Sequence, residues 1–206
     1  MKSFMLNVIF LLNLAGLVSI SACAGLSTAK PAVTAPIATA HTTSKPAEAL
    51  TIKTSIGKVM VLDFPLSDLT DLPNPPEELA RIAHFNAAFK QKLADDGVQI
   101  VPVDDKINAI AAAQSATYLF DHTDIAASLA EGSGADYIVI GVAMKPTYLF
   151  VYPRMLLVDI KTKRKVFTSY VQMEGSWLDK AHTASSAKNL ASKVIAQLKQ
   201  LNVSTK

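Results

Sequence analysis

Only one cysteine, Cys23, stands in a chain of 206 residues, so no internal disulfide holds the fold and a cysteine-rich secreted scaffold is excluded. Aromatic residues make up 7% of the chain, and no basic cluster lies among stacking side chains, which removes nucleic acid as an expected partner. The eight glycines form no phosphate loop, because no Lys-Ser/Thr follows Gly132-Ser133-Gly134. That triplet sits where a helix is expected to stop, so a C-cap and tight turn are predicted. The four histidines, His41, His84, His122 and His182, are scattered, with no pair four residues apart and no HExxH pattern. In Asp121-His122-Thr123-Asp124 the acids suit the positive end of a helix dipole, and Thr123 or Asp124 is the expected N-cap. No Ser-His-Asp or Cys-His arrangement is present. No catalytic residue, metal ligand or cofactor is therefore assigned, and a non-enzyme is expected.

What the chain does have is apolar mass: 50% of its residues are hydrophobic and the mean hydropathy is +0.27, enough to bury a genuine core in one domain. Part of that excess lies at the start. Lys2 supplies a positive charge, and Phe4 to Ile20 carries no charged residue, short for a permanent membrane span. Ile20-Ser21-Ala22-Cys23 then resembles the bacterial lipobox: small side chains beside the scissile bond and a thiol to carry the diacylglycerol. Residues 1–22 are read as a lipoprotein signal peptide and Cys23 as the lipidated N-terminus. Ala24 in place of Asp favours the outer membrane by enteric sorting rules. Ala22-Cys23-Ala24 also fits ordinary secretory cleavage, which releases a soluble protein. Residues 23–49 are rich in Ala, Thr and Pro and read as a tether, spanning on the order of 30 Å as a flexible coil.

The folded domain is expected over residues 50–206. Lys58 to Phe64 is a continuous apolar run, the pattern of a strand covered on both faces. After a loop from Pro65 to Asn74 comes a long helix, with Asn74 as N-cap, Pro75 at N1 and Gly97 at the far end. Leu79, Ile82, Phe85, Phe89 and Leu93 form its core stripe. Val98 to Val103 reads as a strand, Asp104 to Ala116 and Asp124 to Glu131 as helices, and Gly134 to Met144 as a second doubly covered strand. Tyr148 to Ile160 and Val166 to Met173 suggest a hairpin whose second arm is an edge strand, and Asp179 to Leu201 an amphipathic helix. The order β-α-β-α-α-β-β-β-α predicts an α/β fold, a single mixed sheet with helices packed on it.

Val61-Leu62-Asp63-Phe64, Gly134-Ala135-Asp136-Tyr137 with Gly141, and the Gly175-Ser176-Trp177 element resemble an uncharacterised periplasmic family of bacterial proteins, a domain of unknown function. That family is similar to the amino-terminal domain of the translocation protein TolB and to the curli-secretion lipoprotein CsgG. The resemblance covers about Lys58 to Leu201 and implies a fold and an envelope location, without an activity. One departure lies in the hairpin turn, which has Thr162-Lys163 where such families often carry Thr-Gly.

Charge is divided along the chain. Asp63 to Asp136 holds thirteen acidic and four basic residues, whereas Tyr137 to Lys206 holds eleven basic and three acidic. Either the halves interleave and neutralise each other, or Lys161, Lys163, Arg164 and Lys165 with Lys188, Lys193 and Lys199 form a basic face. Such a face suits an acidic envelope protein, anionic lipid or anionic cell-wall polymer. The second candidate is a pocket at the strand ends around Asp63 and Asp136. Trp177 is expected to pack at the start of the last helix. The sequence thus predicts a tethered envelope module that binds a partner, with a small-ligand-binding or catalytic protein as the alternative.

Overall fold

The computed structural model describes residues 56–174 and 179–204; the leader, Cys23, the tether and Trp177 lie outside the described residues. The elements are β1 (Lys58–Val61), β2 (Leu66–Asp68), α1 (Pro76–Asp95), β3 (Gln99–Val101), α2 (Asp105–Ala113), α3 (Tyr118–Asp121), α4 (Thr123–Ala130), β4 (Tyr137–Lys145), β5 (Tyr152–Asp159), β6 (Arg164–Tyr170) and α5 (Lys180–Ser204). One mixed sheet runs β3-β1-β4-β5-β6, and β2 pairs with the far half of β4. Strands β1, β2 and β3 join the sheet in parallel, while β5 and β6 fold back as an antiparallel meander. No helix among the described residues is long and apolar enough to cross a membrane.

Alternation along the strands builds two cores. Val59, Val61, Val139, Ala143, Met155 and Leu157 point to the α1/α5 side, where they meet Ile82, Phe85, Phe89, Leu190 and Val194. Met60, Leu62, Ile138, Ile140, Leu156 and Val158 point to the other side and meet Ile107, Leu119, Ala126 and Ala130 of α2 to α4. Burial on both faces is why β1 and β4 read as unbroken apolar runs.

Five local expectations are corrected. Residues 65–74 hold the short strand β2, whose three residues are too few for a periodicity signal, and α3 is a further single turn before α4. Helix α1 starts at Pro76 with Pro75 at the cap, so Asn74 is not the N-cap. Leu79 is 54% exposed, and Glu78 takes the buried first-turn position instead. At α4 the cap position is His122, with no side-chain cap; its Nδ1 lies 2.9 Å from the Tyr118 carbonyl oxygen and its ring stacks on Tyr118. Gly132 and Gly134 do adopt positive φ beyond α4.

The β5–β6 turn places a non-glycine residue, Lys163, in a left-handed conformation. Lys163 has φ 55, a region that favours glycine. Its Nζ reaches Glu131 at 3.0 Å, an exposed pair of small worth. Lys163→Gly is therefore expected to leave stability within about 0.5 kcal/mol, whereas Lys163→Val, β-branched at the same φ, is expected to cost more than about 1 kcal/mol, both read from urea midpoints.

Candidate functional site

The chain turns out of β1 at Asp63, and Asn86 of α1 clamps the next residue: the Phe64 amide donates to Asn86 Oδ1 at 3.0 Å, and Asn86 Nδ2 donates to the Phe64 carbonyl at 3.3 Å. Asp63 points out to solvent and pairs with Lys90 of α1 at 2.8 Å. Beside it, under α2 and α3, a cavity of about 230 Å³ is walled by Leu62, Ala112, Leu119 and Ile140, with Asp63, Asn108 and Ser115 as its polar groups. Asp136 is not part of it. The Asp136 Oδ2 accepts from the Lys58 amide at 2.7 Å, so this carboxylate marks the beginning of β1 and β4 while Asp63 marks the end of β1. Parallel pairing puts the two acids at opposite ends of the sheet, which corrects the expectation that they line one pocket.

A buried ionic cluster that sequence reasoning missed lies where β2, β4, α1 and α5 meet. Lys145, the last residue of β4, has a side chain only 2% exposed. Its Nζ donates to Asp68 Oδ2 at 3.0 Å and to Asn74 Oδ1 at 3.3 Å, and stands 3.6 Å from Glu78 Oε2. Arg81, one turn beyond Glu78, donates from Nε to Thr183 Oγ1 and from Nη2 to the Glu174 carbonyl, both at 3.1 Å. Burial pushes the Glu78 carboxyl above the usual carboxylate range, and Lys145 and Arg81 pull it back only in part. For Asp68, burial is outweighed by hydrogen bonds from Thr70 and by Lys145, leaving its carboxyl below the usual range. Burial also lowers the Arg81 guanidinium. Two cations facing two carboxylates in the interior lock four elements together.

The residues of the expected basic face are exposed around the start of β6 and along α5, Lys199 included. Lys161, Lys163, Arg164 and Lys165 are exposed around the β5–β6 turn, where Lys163 Nζ engages Glu131 and Ser128 of α4. Across the strand pair Arg164 opposes Asp159, while Lys165 opposes Val158, whose side chain belongs to the core under α2 to α4. Lys193 lies at the other end of β6, donating to the Tyr170 carbonyl at 3.2 Å, and Lys188 is exposed on α5.

The structure also shows a groove of about 720 Å³ between the end of β6 and α5. His182, Ser185, Ser186, Asn189 and Lys193 recur at helical spacing along its α5 wall, opposite Thr168 to Gln172. The outer edge of β6 pairs with no strand among the described residues. His182 Nε2 is buried there and has no hydrogen-bond partner among the described residues. No group of three or more His, Cys, Asp or Glu residues among those described is placed to hold a metal ion.

Comparison with known proteins gives one family and several distant structures. Residues 57–190 match the model of a family described as "Protein of unknown function (DUF2380)". No curated protein matches the chain. Among solved structures, the C-terminal domain of LpoB from Salmonella enterica is 15% identical over 59% of this chain and 85% of its own, with a TM-score of 0.42. Lipoprotein GNA1162 from Neisseria meningitidis is 13% identical over 70% and 96%, with a TM-score of 0.42. The hypothetical protein CT253 from Chlamydia trachomatis is 15% identical over 70% and 99%, with a TM-score of 0.47.

Proposed function

The chain belongs to the DUF2380 family of proteins of unknown function, and from that premise we propose that it is a lipid-anchored periplasmic module that works by binding a partner, without chemistry of its own. The structural observation that carries the binding part is the open edge of β6 beside the groove along α5. An extended segment of a partner adds to such an edge through main-chain hydrogen bonds, and side chains along the neighbouring helix select it. The address rests on Ile20-Ser21-Ala22-Cys23 and the Ala/Thr/Pro-rich residues after it. The two ester-linked acyl chains of a diacylglyceryl group on the cysteine sulfur hold a protein at a bilayer far more firmly than one chain, and the tether then raises the domain's effective concentration at partners within reach. Ala24 favours the outer membrane.

Cys23→Ser tests the anchor. The wild-type chain is expected to fractionate with membranes and to incorporate a fatty-acid analogue; the variant is expected to lose the label and to leave the membrane fraction. A wild-type chain that takes no label, with a variant still in the membrane, would refute the assignment. Crosslinking of the anchored protein in native membranes, with and without Cys23→Ser, then separates partners that depend on the tether from those that bind the domain directly.

The cavity beside Asp63 supports a second reading, a small ligand with an apolar body and a polar tip that reaches Asn108 or Ser115. Filling it by Ala112→Leu is expected to abolish such binding and to leave envelope crosslinks intact.

A further inference from the structure

The division of charge along the chain becomes a division between the two edges of the sheet. Strand β3 forms one edge and β6 the other. Both run in the same direction, because β3 and β4 are each parallel to β1, and β6 is twice reversed from β4. Asp95 and Asp96 precede β3 and Asp104 and Asp105 follow it; Asp95, Asp104 and Asp105 are exposed, and Asp96 is paired with Lys92 at 2.7 Å. Strand β6 is preceded by Lys161 and Lys163, begins with Arg164 and Lys165, and meets Lys193 at its end. Half-exposed aliphatic or aromatic side chains accompany each edge, Ile100 and Val101 on β3, Val166 and Phe167 on β6.

Resting on the reading that the β6 edge binds a partner, the geometry points to a second copy of this chain as that partner, its β3 edge laid parallel to β6. In that arrangement the acids before β3 meet the cations around the start of β6, and the acids after β3 meet Lys193. The alternatives oppose like charges. An antiparallel β6–β6 pair brings the Arg164 end of each strand to the Lys193 end of the other, and a β3–β3 pair brings Asp95 to Asp104 and Asp105. Because the two edges differ, the contact is head-to-tail, so each copy keeps a further edge open and assemblies grow beyond dimers. Exposed charges of this kind are screened by salt, and the tether compensates by concentrating copies on one membrane.

Cys23 is the chain's only cysteine, so engineered thiols can be read without background from the folded domain. The experiment places Gln99→Cys on β3 and Thr168→Cys on β6, both exposed positions, in the full-length protein and applies a short bis-maleimide to native membranes. A chain carrying both is expected to give a ladder of dimers, trimers and higher species; the two single variants are expected to crosslink only when co-expressed. Arg164→Glu is expected to reduce the ladder about tenfold, and Asp95→Lys in the same chain to restore much of it. Crosslinking of Thr168→Cys alone at the level of the double variant would overturn the head-to-tail arrangement in favour of β6 with β6. Absence of any homotypic product, with Cys23-dependent crosslinks to another envelope component retained, would overturn the second copy as partner and leave the tethered module standing.

Discussion

Replacing Lys145 by methionine is expected to destabilise the domain by about 3–5 kcal/mol, measured as a lower urea midpoint at unchanged slope. The side chain is 2% exposed, and its ammonium is the cation facing Asp68 and, with Arg81, the buried Glu78. Methionine fills similar volume, so the loss is mainly electrostatic: the buried Glu78 and the partly buried Asp68 lose the cation they share. A loss of that size consumes a large share of the 5–15 kcal/mol typical of a domain. Adding Asp68→Asn and Glu78→Gln to Lys145→Met removes the orphaned charges and is expected to recover most of the stability. A recovered triple variant separates charge imbalance from misfit of the new side chain.

The two carboxylates of this cluster contribute to stability with opposite pH dependence. Asp68 is held below its unfolded value, so its contribution is complete above the usual carboxylate range and is lost as pH falls through its depressed folded value. Glu78 is held above its unfolded value; it adds most below the unfolded value and loses that advantage as pH rises through the folded one. Glu78→Gln imitates the protonated form, so it is expected to stabilise the protein at neutral pH, with the gain fading at pH below about 4.5, as seen in urea midpoints across pH.

That cluster also shows where sequence periodicity stops being informative. The apolar pattern places β1, β4, the edge character of β6, α5 and most of the α1 stripe, because burying hydrocarbon on one or two faces leaves a periodic trace. The same pattern assigns Leu79 to the core and leaves Glu78 outside, since a glutamate in the first turn ordinarily serves the helix dipole. Lys145, far along the chain, draws Glu78 in instead, and it also takes up Asn74, whose expected use was as a cap. The pairing of Lys145 with residues some seventy positions away follows from β2 lying against β4, and β2 is three residues long. Only the terminal position of Lys145 in an apolar strand, a charge where none was needed, marked it in advance. The separation of Asp63 from Asp136 is likewise topological: both flank strands, and only the parallel register shows that they flank opposite ends.

Phe64→Ala is expected to cost about 3–5 kcal/mol, the range for truncating a buried aromatic. Phe64 is 1% exposed and packs edge-on to both Phe85 and Phe89, with ring centroids 5.4 and 5.3 Å apart. Its ring occupies the space above Gly141 in the middle of β4, where a Cβ would run into the Phe64 ring carbons. Gly141 is thus required for close approach, since its φ is not in the left-handed region. Gly141→Ala alone is expected to cost about 1–3 kcal/mol by overpacking, against the small gain an alanine usually brings through the unfolded chain. The double variant distinguishes this from a backbone effect. With the ring removed, the alanine methyl enters part of the vacated volume, so Phe64→Ala with Gly141→Ala is expected to be less destabilised than the sum of the two, by about 1–2 kcal/mol in a double-mutant cycle. Strict additivity would mean that Gly141 is demanded by the strand and not by the ring that leaves β1 to cover it.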